Sequence, residues 1–121
     1  MRLTKRLLVL LAAAGAMACG DSYGPGGGAG CTPTATQVCM TASTFNPVTL
    51  TVTAGTTVTW RDGSGIAHTV TSDPGSGETF NQSVGGSGTF THRFNTAGTY
   101  NYHCSIHGAA GSGMHGTMTV N

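Results

Sequence analysis

Charge is scarce in this chain. Of its 121 residues only five are Lys or Arg and four are Asp or Glu. Three of the cations, Arg2, Lys5 and Arg6, stand at the very start. What is left is Arg61 and Arg93 against Asp21, Asp62, Asp73 and Glu78, a balance of −2 with histidine neutral. Such a chain has no basic stripe with which to hold nucleic acid. Its Thr, Ser and Gly surface also gives little long-range steering. Long apolar runs are lacking as well. The run Leu7–Ala14 is too short to span a bilayer. Beyond it no helical periodicity of useful length appears. Paired carboxylates and a Ser-His-Asp order are missing too, which leaves no basis for hydrolytic chemistry.

The start of the chain has its own logic. A positive segment, a short apolar run and the small residues Ala16-Met17-Ala18 before Cys19 read as an export signal over 1–18. Ordinary and lipoprotein cleavage would cut the same bond, so the mature chain is expected to begin at Cys19. A free terminal thiol is an odd thing to export, which favours a lipid on Cys19. The glycine-rich stretch DSYGPGGGAG then reads as a tether, within 19–30. The expected domain is 31–121, enough for one sandwich core. The protein is expected to be exported, periplasmic or at the cell surface, and to touch the membrane only through its anchor.

What is present is glycine, threonine and a set of soft ligands. TLTVTAGTTVTW, GTFTHRFN and GTYNYHC alternate with period two between turn residues. Many short strands with frequent turns indicate an all-β protein, an antiparallel Greek-key β-sandwich. Parity places Tyr100, Tyr102 and Cys104 on one face, the core face, and His103 on the other. It likewise places Met114, Met118 and Val120 together, with His115 pointing away. His92, between Phe90 and Phe94, reads as a core-edge histidine, and Met40, Met118 and Trp60 as packing.

Four cysteines need an assignment in an oxidising compartment. With Cys19 lipidated, Cys31 and Cys39 are close enough in sequence to bridge the start of the domain. Cys104 is then left over, and metal ligation would explain it. The competing pairing joins Cys104 to Cys31 or Cys39 and abolishes any thiolate site.

The leftover thiol sits in YHCSIHGAAGSGMHG, among three histidines and a methionine. Cys104, His107 and Met114 can converge at one end of a sandwich, and His68, in GIAHTVTSD, can supply a second imidazole. Two His, one Cys and a weak axial Met make a blue-copper electron-transfer site. Zinc held by Cys104, His103, His107 and His115 is the rival by ligand type. Their parities do not converge, and His68 would be unexplained. His103 and His115 could also form a second, weaker Cu(II) or Zn(II) site.

The segments FNPVTLTVTAGTTVTW, HTV, GTYNYHCSIH and MHGTMTV together resemble the plastocyanin/azurin family, the cupredoxins, over nearly all of 39–121. The resemblance implies one copper ion held by His68, Cys104, His107 and Met114. It also implies that Thr69 and Ser105 hydrogen-bond and lock the two ligand segments together. Two departures stand out. The GAAGSG stretch before Met114 is longer than in plastocyanins, and Ala67 stands where they have Pro. A multicopper oxidase would need more length and further His clusters. The expected function is therefore one-electron transfer without enzymatic activity. Redox donor and acceptor would dock briefly around His107, ringed by Gly108, Ala109, Ala110 and Gly113, and the protein would be monomeric. A copper chaperone or buffer using the same ligands is the alternative, and a vestigial site a third.

Overall fold

A computed structural model describes residues 30–121. The export signal, Cys19 and nearly all of the tether lie outside the described residues. Two sheets face each other. One has the strand order β2-β1-β4-β7 and the other β3-β9-β8-β5-β6. In chain order the strands are β1 (Gln37–Met40), β2 (Phe45–Asn46), β3 (Thr49–Val52), β4 (Thr56–Asp62), β5 (His68–Ser72), β6 (Asn81–Val84), β7 (Thr89–Phe94), β8 (Gly98–Ala109) and β9 (Ser112–Val120). The described residues form an all-β sandwich, as the period-two patterning predicts.

Alternation builds the core. Val58 and Trp60 on β4, Tyr100, Tyr102 and Cys104 on β8, and Met114, Met118 and Val120 on β9 are all buried. Trp60 is central: its ring stacks on Phe90 and meets Tyr102 edge-on, with centroids 5.5 and 5.4 Å away. Aromatic pairs of this geometry add about 0.5–1.5 kcal/mol each beyond the area they bury. His92 lies at the core edge against Phe80 and Phe94 and is bonded to Glu78.

Two pairings depart from the antiparallel expectation. β1 runs parallel to β4, and β3 runs parallel to β9. Period-two patterning reports which face a residue takes, not the direction of its neighbour, so the sequence carries no signal for this.

Cys31 and Cys39 are disulfide-bonded and Cys104 is free and buried. The rival pairing of Cys104 is thereby set aside. The bridge spans a sequence separation of only 8. In the chain-entropy account such a short loop stabilises by about 2–3 kcal/mol. Cys31→Ser with Cys39→Ser should therefore lower unfolding free energy by about that amount in urea titrations. Peptide mapping of the unreduced native protein should yield this linked pair and an unlinked Cys104 peptide.

Candidate metal centre

The β8–β9 hairpin creates the site by a mismatch in length. Its ladder is regular up to the pair His103–His115 and resumes at Gly108–Gly113. Between those two points β8 contributes Cys104, Ser105, Ile106 and His107, whereas β9 contributes only Met114. The surplus bulges outward, as an extra residue in an antiparallel pair must. The bulge folds His107 back over Cys104, and Met114 lies opposite both. The ladder can close again because residues 108 and 113 are glycines. A Cβ on Gly108 would stand 2.4 Å from the Met114 nitrogen, and one on Gly113 2.8 Å from the His107 carbonyl.

Most of the lengthened GAAGSG stretch is paired strand. Gly108 and Ala109 still belong to β8, and Ser112 already belongs to β9. Only Ala110 and Gly111 make the turn, with Gly111 at φ 70°. Positive φ costs glycine nothing.

His68 comes from the neighbouring strand. β5 pairs with β8 at Thr71–His103 and Ser72–Tyr102 only. Beyond these the strands part, and other groups take over the role of the ladder. The Thr69 N–H donates to Cys104 Sγ at 3.3 Å. The Ser105 N–H donates to the Thr69 hydroxyl at 2.8 Å, and the Thr69 and Ser105 hydroxyls are 3.0 Å apart. The two ligand-bearing segments are thus tied directly to one another, and the thiol sulfur itself accepts a backbone hydrogen bond.

In the resulting cluster His68 Nδ1 lies 3.9 Å from Cys104 Sγ, and His107 Nδ1 lies 3.6 Å from it. All three donor atoms fall within 4.8 Å of one another. Met114 is buried in the same core cluster as Cys104. His68 and Cys104 are buried, whereas His107 reaches the surface. His103 and His115 stand on the other face of the sheet and take no part, so the zinc set of Cys104, His103, His107 and His115 is not assembled.

One part of the site escaped the sequence reading. Asp62 is fully buried, on the same parity of β4 as Val58 and Trp60. Its Oδ1 accepts from the Ser64 N–H at 2.7 Å and the Ser64 hydroxyl at 2.6 Å. Its Oδ2 accepts from the N–H groups of Gly65 and Ser87, both at 3.1 Å. The Ser64 oxygen in turn lies 3.0 Å from His68 Nε2. Ser64 has a single proton and gives it to the carboxylate, so its oxygen accepts from His68 Nε2–H. The lone pair of His68 is thereby left on Nδ1, the nitrogen that faces the sulfur. Burial pulls the pKa of His68 below its ordinary value against the opposing pull of Asp62, with His107 adding to the decrease. Burial pushes the Asp62 carboxyl up, but the bonds from Ser64 and Ser87 and the nearby His68 outweigh it and hold the carboxyl below its ordinary value. A carboxylate on a core-facing parity was the signal available in the sequence.

The donor set suits copper. A thiolate and two imidazoles with a nearby thioether are the soft-to-borderline ligands that copper takes in both its common oxidation states. The Ser64–Asp62 relay behind His68 is the support a ligating imidazole requires.

Comparison with known proteins agrees with this chemistry. Residues 32–121 match the copper binding proteins of the plastocyanin/azurin family. A search of curated proteins returned no similar sequence. Among solved structures, a purple cupredoxin from Nitrosopumilus maritimus superposes with a TM-score of 0.59 at 27% identity, over 70% of this chain and 98% of that one. A reduced amicyanin mutant gives 0.61 at 26% identity, over 70% and 80%. A copper-containing nitrite reductase from Thermus scotoductus SA-01 gives 0.64 at 25% identity, over 75% of this chain but 23% of that one. With copper-type ligands converging on one sulfur and a family match across the whole described sandwich, this chain belongs to the plastocyanin/azurin family of copper-binding proteins.

Proposed function

We propose that the protein is a one-electron carrier with a type 1 copper centre that His68, Cys104, His107 and Met114 would hold. The observation that carries this reading is the approach of two imidazole Nδ1 atoms to a single buried sulfur. Bound there, copper supplies a couple between Cu(II) and Cu(I). The chain's part is to keep the ligands from moving between the two states. Thr69 and Ser105 clasp the ligand segments, Ser64 holds the His68 ring, and the Thr69 N–H stabilises negative charge on the Cys104 sulfur. Little nuclear motion then accompanies the electron. His107 is the ligand at the surface and offers the short route for electron entry and exit.

Ile106 beside it is 56% exposed. With Ala109 and Ala110 it extends the apolar surface next to that ligand. A small apolar contact suits a brief encounter with a redox protein. A carrier, not an enzyme, is the better reading because the fold matches 98% of the purple cupredoxin and only 23% of the nitrite reductase. In the same reading the chain is exported, anchored through Cys19, and acts as a monomer. Absorption and EPR spectra of the copper-loaded protein test the proposal. An intense visible band with narrow copper hyperfine splitting is expected. A colourless Cu(II) complex with a tetragonal signal would reject the type 1 assignment.

Met114 makes a separate prediction. A weak thioether donor favours Cu(I) relative to an oxygen donor. Met114→Gln should therefore lower the reduction potential, and Met114→Leu should raise it while the blue colour stays. Met118→Leu nearly conserves volume in the core and should do neither. Voltammetry of the three variants decides; a shift in the Met118 variant alone would remove Met114 from the site.

A further inference from the structure

His103 and His115 are left over from the copper centre, and the fold sets them side by side. They are direct partners in the β8–β9 ladder. Their neighbours Tyr102, Cys104, Met114 and Gly116 turn into the core, so both histidines leave the outer face of the five-stranded sheet. Opposed residues on one face of an antiparallel pair have Cβ atoms about 4.5–5.5 Å apart.

The rings are held in matching states. His103 Nδ1 lies 2.5 Å from Asp73 Oδ1, and His115 Nδ1 lies 3.0 Å from the Gly113 carbonyl oxygen. A carboxylate and a carbonyl can only accept. In each neutral ring the proton is therefore on Nδ1 and the lone pair on Nε2. Among the described residues neither Nε2 has a hydrogen-bond partner. An imidazole whose Nδ1–H is fixed by a carboxylate or carbonyl, with Nε2 free, is the arrangement in which histidine ligates metals. Asp73 is itself mostly buried, 12% exposed beside a 14% exposed His103. It places negative charge directly behind the first ring. The fixed positive charges of the described sandwich, Arg61 and Arg93, lie on β4 and β7 in the other sheet. Among the described residues no Arg or Lys therefore lies on a strand of this sheet.

We propose that His103 and His115 chelate one borderline divalent cation, Zn2+ or Cu2+, through their two Nε2 atoms, at a surface site separate from the copper centre. Water completes the coordination, and Asp73 is the positioning residue that orients His103. Imidazole pairs suit both ions. The site lies across the sheet from Cys104 and does not depend on the redox role proposed above.

Titration of the Cu(I)-loaded protein with Zn2+ tests this, followed by calorimetry and by imidazole NMR. Filling the thiolate site with Cu(I) keeps zinc out of it and keeps the sample diamagnetic. One zinc per chain should bind, and the ring signals of His103 and His115 should move together while those of His92 stay. His115→Asn and His103→Asn should each weaken binding at least about tenfold, and Asp73→Ala by about 10–100-fold. The visible band of the Cu(II) form reports that each variant is folded, and His115→Asn should leave it unchanged. No zinc uptake, uptake unaffected by both histidine substitutions, or zinc that releases copper without moving the His115 signal would each overturn the proposal.

Discussion

Cys104→Ser should remove the visible band of the copper-loaded protein completely. In the proposed type 1 centre the band would be charge transfer from a thiolate to Cu(II), and Cys104 is the free cysteine among the described residues. Its sulfur is the atom that both imidazole Nδ1 atoms approach. A serine oxygen is harder and holds its proton at neutral pH. The variant should therefore keep copper only through His68 and His107, weakly, with a tetragonal EPR signal. Cys31→Ser supplies the contrast. It breaks the distant disulfide and lowers stability, yet the blue colour should persist. A serine variant that stays blue would mean that another group delivers the charge transfer, and the assignment of the site would fail with it.

Asp62→Asn should be the most destabilising isosteric change outside the metal ligands, by about 3 kcal/mol. Every partner of the carboxylate is a donor: two from Ser64, and one each from Gly65 and Ser87. An amide can present one oxygen to them but must turn its NH2 toward the rest. Ser87 is held at φ 69°, so the bond from its N–H anchors a turn that pays for its own conformation poorly. The dependence on pH follows from the direction of the Asp62 shift. Its folded pKa is depressed, so its contribution is complete above the ordinary carboxylate value. That contribution is lost as pH falls through the folded value. Urea unfolding of wild type and variant should differ most at neutral pH and converge in acid. Ser64→Ala should be milder for stability, about 1 kcal/mol. It should also weaken copper about 10–100-fold, because His68 would no longer be held with its lone pair on Nδ1. Competition with a chelator measures that. Unchanged affinity in Ser64→Ala would show that the relay serves the fold and not the metal.

Period two made much of the fold legible in advance. Tyr100, Tyr102 and Cys104 face inward, and His103 and His115 face outward, because a strand allows its side chains only two directions. The bulge between His103 and Gly108 was not legible. Register in a glycine-rich hairpin is set by which residues can approach closely, and composition alone does not reveal that. GAAGSG consequently showed only as a lengthened stretch, where the chain makes a paired hairpin tip. Parallel pairing of β1 with β4 and of β3 with β9 was invisible for a related reason: direction comes from connections between distant segments. Asp62 could have been found. Its parity after Val58 and Trp60 puts a charge into the core, and a buried charge needs partners. The turn DGSG that follows it supplies two of them.

The hairpin that carries Cys104, His107 and Met114 is fastened on both sides of them. Below, the ladder closes at His103–His115; above, it closes again at Gly108–Gly113. The paired Gly108–Gly113 rung separates the hairpin tip from the candidate metal centre. The tip can therefore drift in length and sequence across evolution, or accept a grafted peptide, at an entropic cost that grows only slowly with added residues. Partner choice could be rewritten there while the spacing of Cys104, His107 and Met114 stays as it is. The two glycines are what make the separation possible, and a side chain at either would couple tip to centre again.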